Sequence, residues 1–208
     1  WHHESFWIMP AANTEGELQA LLDRVERRLE TLRDFLLPDD WDQQKARLMP
    51  QGIAPPRYRA QRGPVTFATS VLGAENLIFL IMDRPDLARR FSDLIRRAML
   101  GIAQTLDDEH DEPADAAPHG FSFMDDNCAL MTPDMYELFG YPVLEAMFNR
   151  YSPDPGDRRY QHSDSAMAHL LPLLGRLKLN RVNFGPTVSI REIREHLPDA
   201  VIHGVLAP

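Results

Sequence analysis

Five short apolar segments, each running into polar residues at the same end, constrain this chain more than any other feature. They centre near residues 65, 122, 160, 182 and 201, and helical patterns separate them. Strands that alternate with helices pair in parallel and carry the helices outside the sheet. The rhythm therefore predicts an α/β fold of repeated β/α units.

The first helix is expected over 14–36. Thr14 and Glu17 form a capping box, and Leu18, Leu21, Leu22, Val25, Leu29, Leu32 and Leu36 follow at helical spacing. Residues 39–61 are rich in Pro, Gln and Arg and read as a long connection. The run 64–70 reads as the first short buried strand, and 4–8 offers an extra one. A helix follows over 74–82, and Pro85 opens the next, with Leu87, Phe91, Leu94, Ile95, Ala98, Ile102 and Leu106 along one face. The acidic stretch 107–118 reads as a solvated loop. Strand 121–125 comes next, then a helix capped by Thr132 with Pro133 at its first position. Turn residues fill 152–157. The remaining elements are strand 159–162, helix 166–177, strand 181–184, a helix opened by the Ser189/Glu192 capping box, and strand 200–203.

Composition removes several function classes. The net charge is −9, and the arginines are interleaved with acids. Nucleic acid is not an expected partner, because phosphate contacts need clustered Lys and Arg. A single cysteine, Cys128, excludes an internal disulfide framework and suits the reducing cytoplasm. No apolar run approaches the ~20 residues of a membrane span, so a membrane is not an expected partner either. With 44% hydrophobic residues the chain can bury a substantial core. Trp1 stands first rather than Met, which is expected of a chain that starts part-way through a longer protein.

In parallel β/α folds the chemistry sits where strands end and loops begin. The five ends deliver Thr69-Ser70, then Asp125-Asp126-Asn127-Cys128, then His162-Ser163-Asp164, then Asn183-Phe184, then His203-Gly204. Five such ends in order predict one shared polar pocket. Carboxylates with imidazoles suit a divalent metal. His162 and Asp164, two apart on a strand, share a face and are the expected ligands. Asp125, Asp126 and His203 are the expected acid/base groups or further ligands. Ser70, Asn127, Asn183 and Phe184 are expected to line the substrate. His169, inside a helix, and Cys128 are read as structural, although Cys128 stands close enough to join a ligand shell. Asp164 has a second reading, as the cap of the helix that follows it.

The ordered series Gly63-Pro-Val-Thr-Phe-Ala-Thr, Glu75-Asn-Leu, Asp83-Arg-Pro-Asp-Leu, Leu130-Met-Thr-Pro-Asp-Met-Tyr136, His162-Ser-Asp-Ser, Leu170-Leu-Pro-Leu-Leu, Val182-Asn-Phe-Gly-Pro186 and His203-Gly204 resembles the uroporphyrinogen decarboxylase superfamily. The resemblance covers roughly residues 60–208. It implies a (β/α)8 TIM-type barrel of which this chain supplies about strands three to seven. One barrel domain would span 1–208, with a helix and connection over 1–60 and the recognisable core over 61–208. The superfamily has a metal-free decarboxylase branch acting on tetrapyrroles and a corrinoid-dependent methyltransferase branch with zinc. Against the first, Ser70 stands at the family's Tyr position and Asp126 at its Ser position. Against the second, His162 keeps the His of a His-x-Cys pair, and Asp164 replaces the Cys. The resemblance thus implies an enzyme, leaning to metal-assisted methyl transfer with zinc or another divalent metal and a corrinoid protein as partner. The alternatives are a carboxy-lyase on a tetrapyrrole-type substrate and a non-catalytic binding barrel. It also implies pairing into a homodimer.

Overall fold

The computed structural model describes residues 9–110 and 116–204. The segment 4–8 lies outside them, as does part of the expected acidic loop. Five strands form one parallel sheet in the order β1-β2-β3-β4-β5: β1 (Ala60–Arg62), β2 (Phe121–Met124), β3 (Arg159–Ser163), β4 (Arg181–Phe184) and β5 (Val201–Gly204). Strand order that follows chain order matches a fragment of a TIM-type β/α barrel and not a doubly wound sheet, whose order reverses part-way.

The two faces of the sheet differ. One carries Phe121, Phe123, Gln161, Ser163, Val182 and Phe184, all buried under the helices. On the other, only Ser122 is buried among the paired positions. Arg62, Met124, Tyr160, His162, Arg181, Asn183, Val201 and His203 there are half-buried or exposed. Parallel sheets normally cover both faces, so this sheet presents an open wall.

Among the described residues, ten α-helices surround the buried face and the N-terminal flank. They are α1 (Glu15–Glu30), α2 (Leu32–Leu36), α3 (Trp41–Leu48), α4 (Pro64–Leu72), α5 (Ala74–Asp83), α6 (Pro85–Asp108), α7 (Pro133–Phe139), α8 (Tyr141–Tyr151), α9 (Leu171–Arg176) and α10 (Ile190–His196). Among the described residues no single helix is long and apolar enough to cross a membrane. The caps read from sequence form: Thr14 accepts from Glu17 N, Thr132 from Met135 N, and Ser189 and Glu192 cap each other's backbone. α6 buries Leu87, Phe91, Leu94, Ile95, Met99 and Ala103, which ties the helical layer together.

Three expectations are corrected. The run 64–70 is not a strand but most of α4, because Gly63-Pro64 places proline at a helix start and Asp125 caps that start from β2. The first strand is Ala60–Arg62, straddling the end of the expected connection, which also holds α3. The single helix over 14–36 breaks at Thr31, and α6 runs on to Asp108, two residues into the expected acidic loop.

Candidate metal centre

The strand register places Arg62, Met124, His162, Asn183 and His203 in one row across the open face, near the ends where the strands stop. His162 stands at the centre of that row. Its Nδ1 lies 2.7 Å from Asn183 Oδ1. The Asn183 amide is oriented by its own Nδ2, which donates to His203 O at 3.0 Å. Oδ1 is therefore the acceptor facing the ring, and His162 Nδ1 carries the proton. Nε2 points away from Asn183, toward two carboxylates.

Those carboxylates are Asp126 and Asp164. Nε2 lies 3.9 Å from Asp126 Oδ1 and 3.5 Å from Asp164 Oδ2. Both separations exceed the 2.7–3.2 Å typical of an N–H···O hydrogen bond. They match the roughly 3.4 Å expected between two ligands of one tetrahedral zinc with bonds of about 2.1 Å. One ligand atom from each of Asp126, His162 and Asp164 falls within 4.8 Å of the other two. Asp126 Oδ1 also accepts from Asp164 N at 2.8 Å, fixing the turn after β3 against the turn after β2. The Asp164 side chain is 75% exposed and that of His162 26%, so the triad opens to solvent on one side. Donor set, spacing and orientation fit a divalent cation.

The other expected site residues lie around this triad in different roles. Asp125 points into the protein and is fully buried. Its Oδ1 accepts from Thr66 N at 2.7 Å and caps α4, while Oδ2 has no partner. Burial pushes its carboxyl up to about 7, against the lowering pull of the Thr66 and Val65 amides. Gly63 permits this approach, since a Cβ there would sit 2.1 Å from Asp125 Cβ. Asn127 ties the turn to α4 through Thr66 Oγ1 and Thr69 Oγ1. Phe184 is 1% exposed and faces the core. The His203 ring is exposed and meets Tyr160 edge-on at 6.4 Å, with only its carbonyl bonded to the triad's support. Ser70 accepts from Arg62 Nη1 at 2.9 Å and donates to Thr66 O. Cys128 is buried beside Ser163 and Gln161, and burial raises its thiol well above the ordinary range. His169 bonds to Met131 O.

Arg62 is the residue that sequence reasoning passed over. It shares the row of His162 two strands away, about 10 Å at ordinary strand spacing. It stands between the expected connection, which ends at residue 61, and the run read as the first strand, and so drew no reading of its own.

No protein-family model matches the chain, and no curated protein sequence matches it. Among solved structures it resembles a methyltransferase from Methanosarcina mazei, with a TM-score of 0.52 and 15% identity, over 96% of this chain and 55% of that one. The chain has a methyltransferase-like fold. It spans about half the length of that methyltransferase.

Proposed function

We propose that Asp126, His162 and Asp164 hold a divalent metal, zinc first, in an enzyme of the uroporphyrinogen decarboxylase superfamily that transfers a methyl group delivered by a corrinoid protein. One observation carries this reading. The His162 ring is locked through Asn183 so that Nε2 faces two carboxylates at ligand-to-ligand spacing. A second-sphere carbonyl of this kind is the usual support for a metal-bound histidine. The likeness in fold to a methyltransferase and the ordered sequence resemblance favour methyl transfer as the chemistry.

Held by Asp126, His162 and Asp164, a zinc ion would supply Lewis acidity that favours the anionic form of an acceptor group. The chain's residues do the rest. Asp126 and Asp164 balance the cation's charge. Exposed Asp164 stands at the rim, where the acceptor enters. Arg62, held by Ser70, offers its guanidinium to an anionic group of the acceptor across the row. The exposed Met124 and half-buried Tyr160 supply a partly apolar floor. A carboxylate-rich donor set is harder than the thiolates of the resembled branch, so a metal held here is less thiophilic and favours an oxygen acceptor over a sulfur one.

The test is turnover. Zinc-loaded protein incubated with methylcobalamin and a panel of thiol and hydroxyl acceptors should bleach the methyl–cobalt absorbance. The rate should be lost on chelation and in Asp164→Ala. Decarboxylation of a porphyrinogen that survives exhaustive chelation would replace this reading with the carboxy-lyase. Ligand binding with neither reaction would replace it with a binding barrel.

A further inference from the structure

The open face of the sheet has a charge pattern that the metal centre does not use. Among its paired positions, from Ala60 on β1 to His203 on β5, Arg62 and Arg181 carry full charges and none is an acid. The chain as a whole has 31 acids against 22 lysines and arginines, so a wall with bases alone runs against its composition.

An arginine on a sheet face is stabilised by an opposite charge across the strands. Neither of these has one. Arg62 bonds to the neutral Ser70 hydroxyl. Arg181 is exposed and, among the described residues, has no hydrogen-bond or ion-pair partner. Two acids border the face, Asp126 and Asp164, and both belong to the triad. With a divalent cation held there, their charge is offset and the two guanidinia stay uncompensated.

Register places Arg181 close to the triad. It pairs with Tyr160 on β3 and stands two residues before Asn183 on β4. One strand and two residues separate it from His162, about 8 Å between Cα atoms at ordinary strand geometry. Arg62 is farther away, on the other side of His162. The Tyr160 ring leans across β4, since it meets the His203 ring edge-on at 6.4 Å. Tyr160 and Arg181 therefore border one patch of the wall, next to the triad on the side where the strands begin. Burial, and after it the charge of Asp164, raise the Tyr160 phenol above its ordinary value, so its hydroxyl remains a donor.

We propose that Arg181, with the Tyr160 hydroxyl beside it, binds a carboxylate at the far end of the acceptor, which makes the acceptor a short hydroxy acid whose hydroxyl meets the triad. A guanidinium fork takes a carboxylate by paired charge-assisted hydrogen bonds. Arg62 adds charge from across the row, and Arg181 makes the contact. The place of the hydroxyl rests on the metal reading given above; the carboxylate site does not.

The test is a calorimetric titration with 4-hydroxybutyrate at fixed ionic strength, its neutral amide serving as the control. Zinc-loaded protein should bind the acid saturably and not the amide. Arg181→Gln should weaken binding at least tenfold, the loss of a hydrogen-bonded charge, and Arg62→Gln by less. Arg181→Gln should keep the native melting temperature, because the side chain is exposed and unbonded. A carboxylate also binds zinc directly, so a second arm uses chelated Asp126→Asn/Asp164→Asn protein, which offsets the same charge without a cation. It should bind the acid, and the added Arg181→Gln change should abolish this. That arm reports on the carboxylate site even if the native protein holds no zinc, a result that would fail the metal reading alone. Absence of acid binding in the second arm, equal binding of acid and amide, or binding that persists in Arg181→Gln overturns the proposal.

Discussion

Asp125 and Asp126 are neighbours in sequence that part company in the fold. The strand ends at Met124, and the turn that follows sends Asp125 inward to cap α4 and Asp126 outward to the metal triad. Burial sets Asp125's folded-state pKa near 7, against 3.8 for an ordinary aspartate. An unfolded chain releases this proton near pH 4 and the folded one near pH 7. The unfolded state therefore binds fewer protons between those values, and stability falls as pH rises across that window. In chelated protein this should appear as a loss on the order of a few kcal/mol in urea unfolding between pH 4 and 7. Asp125→Asn, which keeps the acceptor for Thr66 N, should flatten the slope. Asp125→Ala should lose the cap, about 1–2 kcal/mol, at every pH. A slope that survives Asp125→Asn would assign the titration to another group. Asn183 makes a second prediction, since its amide sets the His162 tautomer. Asn183→Ala should weaken zinc binding roughly 10- to 100-fold, read by competition with a chromogenic chelator, and leave the fold intact. The sequence placed Asp126, His162, Asp164 and Asn183 at strand ends expected to share one pocket, with His162 and Asp164 as ligands, Asp126 as an acid/base group or further ligand and Asn183 as a substrate contact. It did not separate Asp125 from Asp126, because which carboxylate turns inward depends on a cap that α4 demands from across the fold.

Elements that rest on local signals were legible, and those that rest on distant partners were not. β2 to β5 read correctly, as apolar or mixed runs closed by turn residues. β1 is a three-residue strand, Ala-Gln-Arg, with exposed ends, and its pairing with β2 is all that defines it. α4 carries Val65, Thr66 and Thr69, types that favour strands. Proline at its start and the Asp125 cap override that preference. α3 lacks a side-chain cap and buries no residue fully. A contact 68 residues away holds it: buried Glu109 at the end of α6 accepts from Trp41 Nε1 and Arg33 Nε, both at 2.7 Å, with Lys45 at 3.8 Å. Burial alone would raise the Glu109 carboxyl, but Arg33 and Trp41 outweigh it and hold the carboxyl below its ordinary value. Glu109→Ala should cost on the order of 1–2 kcal/mol, because Trp41 Nε1 loses its acceptor while half-exposed Arg33 keeps Asp42 and solvent. Hydrogen exchange should accelerate first in α2 and α3, while the sheet stays protected. Uniform acceleration across sheet and helices would show that Glu109 supports the whole core instead.

At the scale of the molecule, five parallel strands in chain order form a wall with helices on one face and a polar row on the other. Binary pattern makes that architecture readable, since strand and helix periods set the layers before any contact is known. The row itself was not readable, because strand register is fixed by packing on the buried face. Register is what brings Asp126, His162 and Asp164 within 4.8 Å of one another and places Asn183 behind the ring. Function therefore turns on whether the triad holds a metal, and elemental mass spectrometry of untagged protein measures this directly. About one zinc per chain is predicted for the native sequence, with none retained in His162→Ala at an unchanged melting temperature of the chelated proteins. Stoichiometric zinc that persists in His162→Ala, or none in the native protein after zinc loading and desalting, would contradict a metal-holding triad.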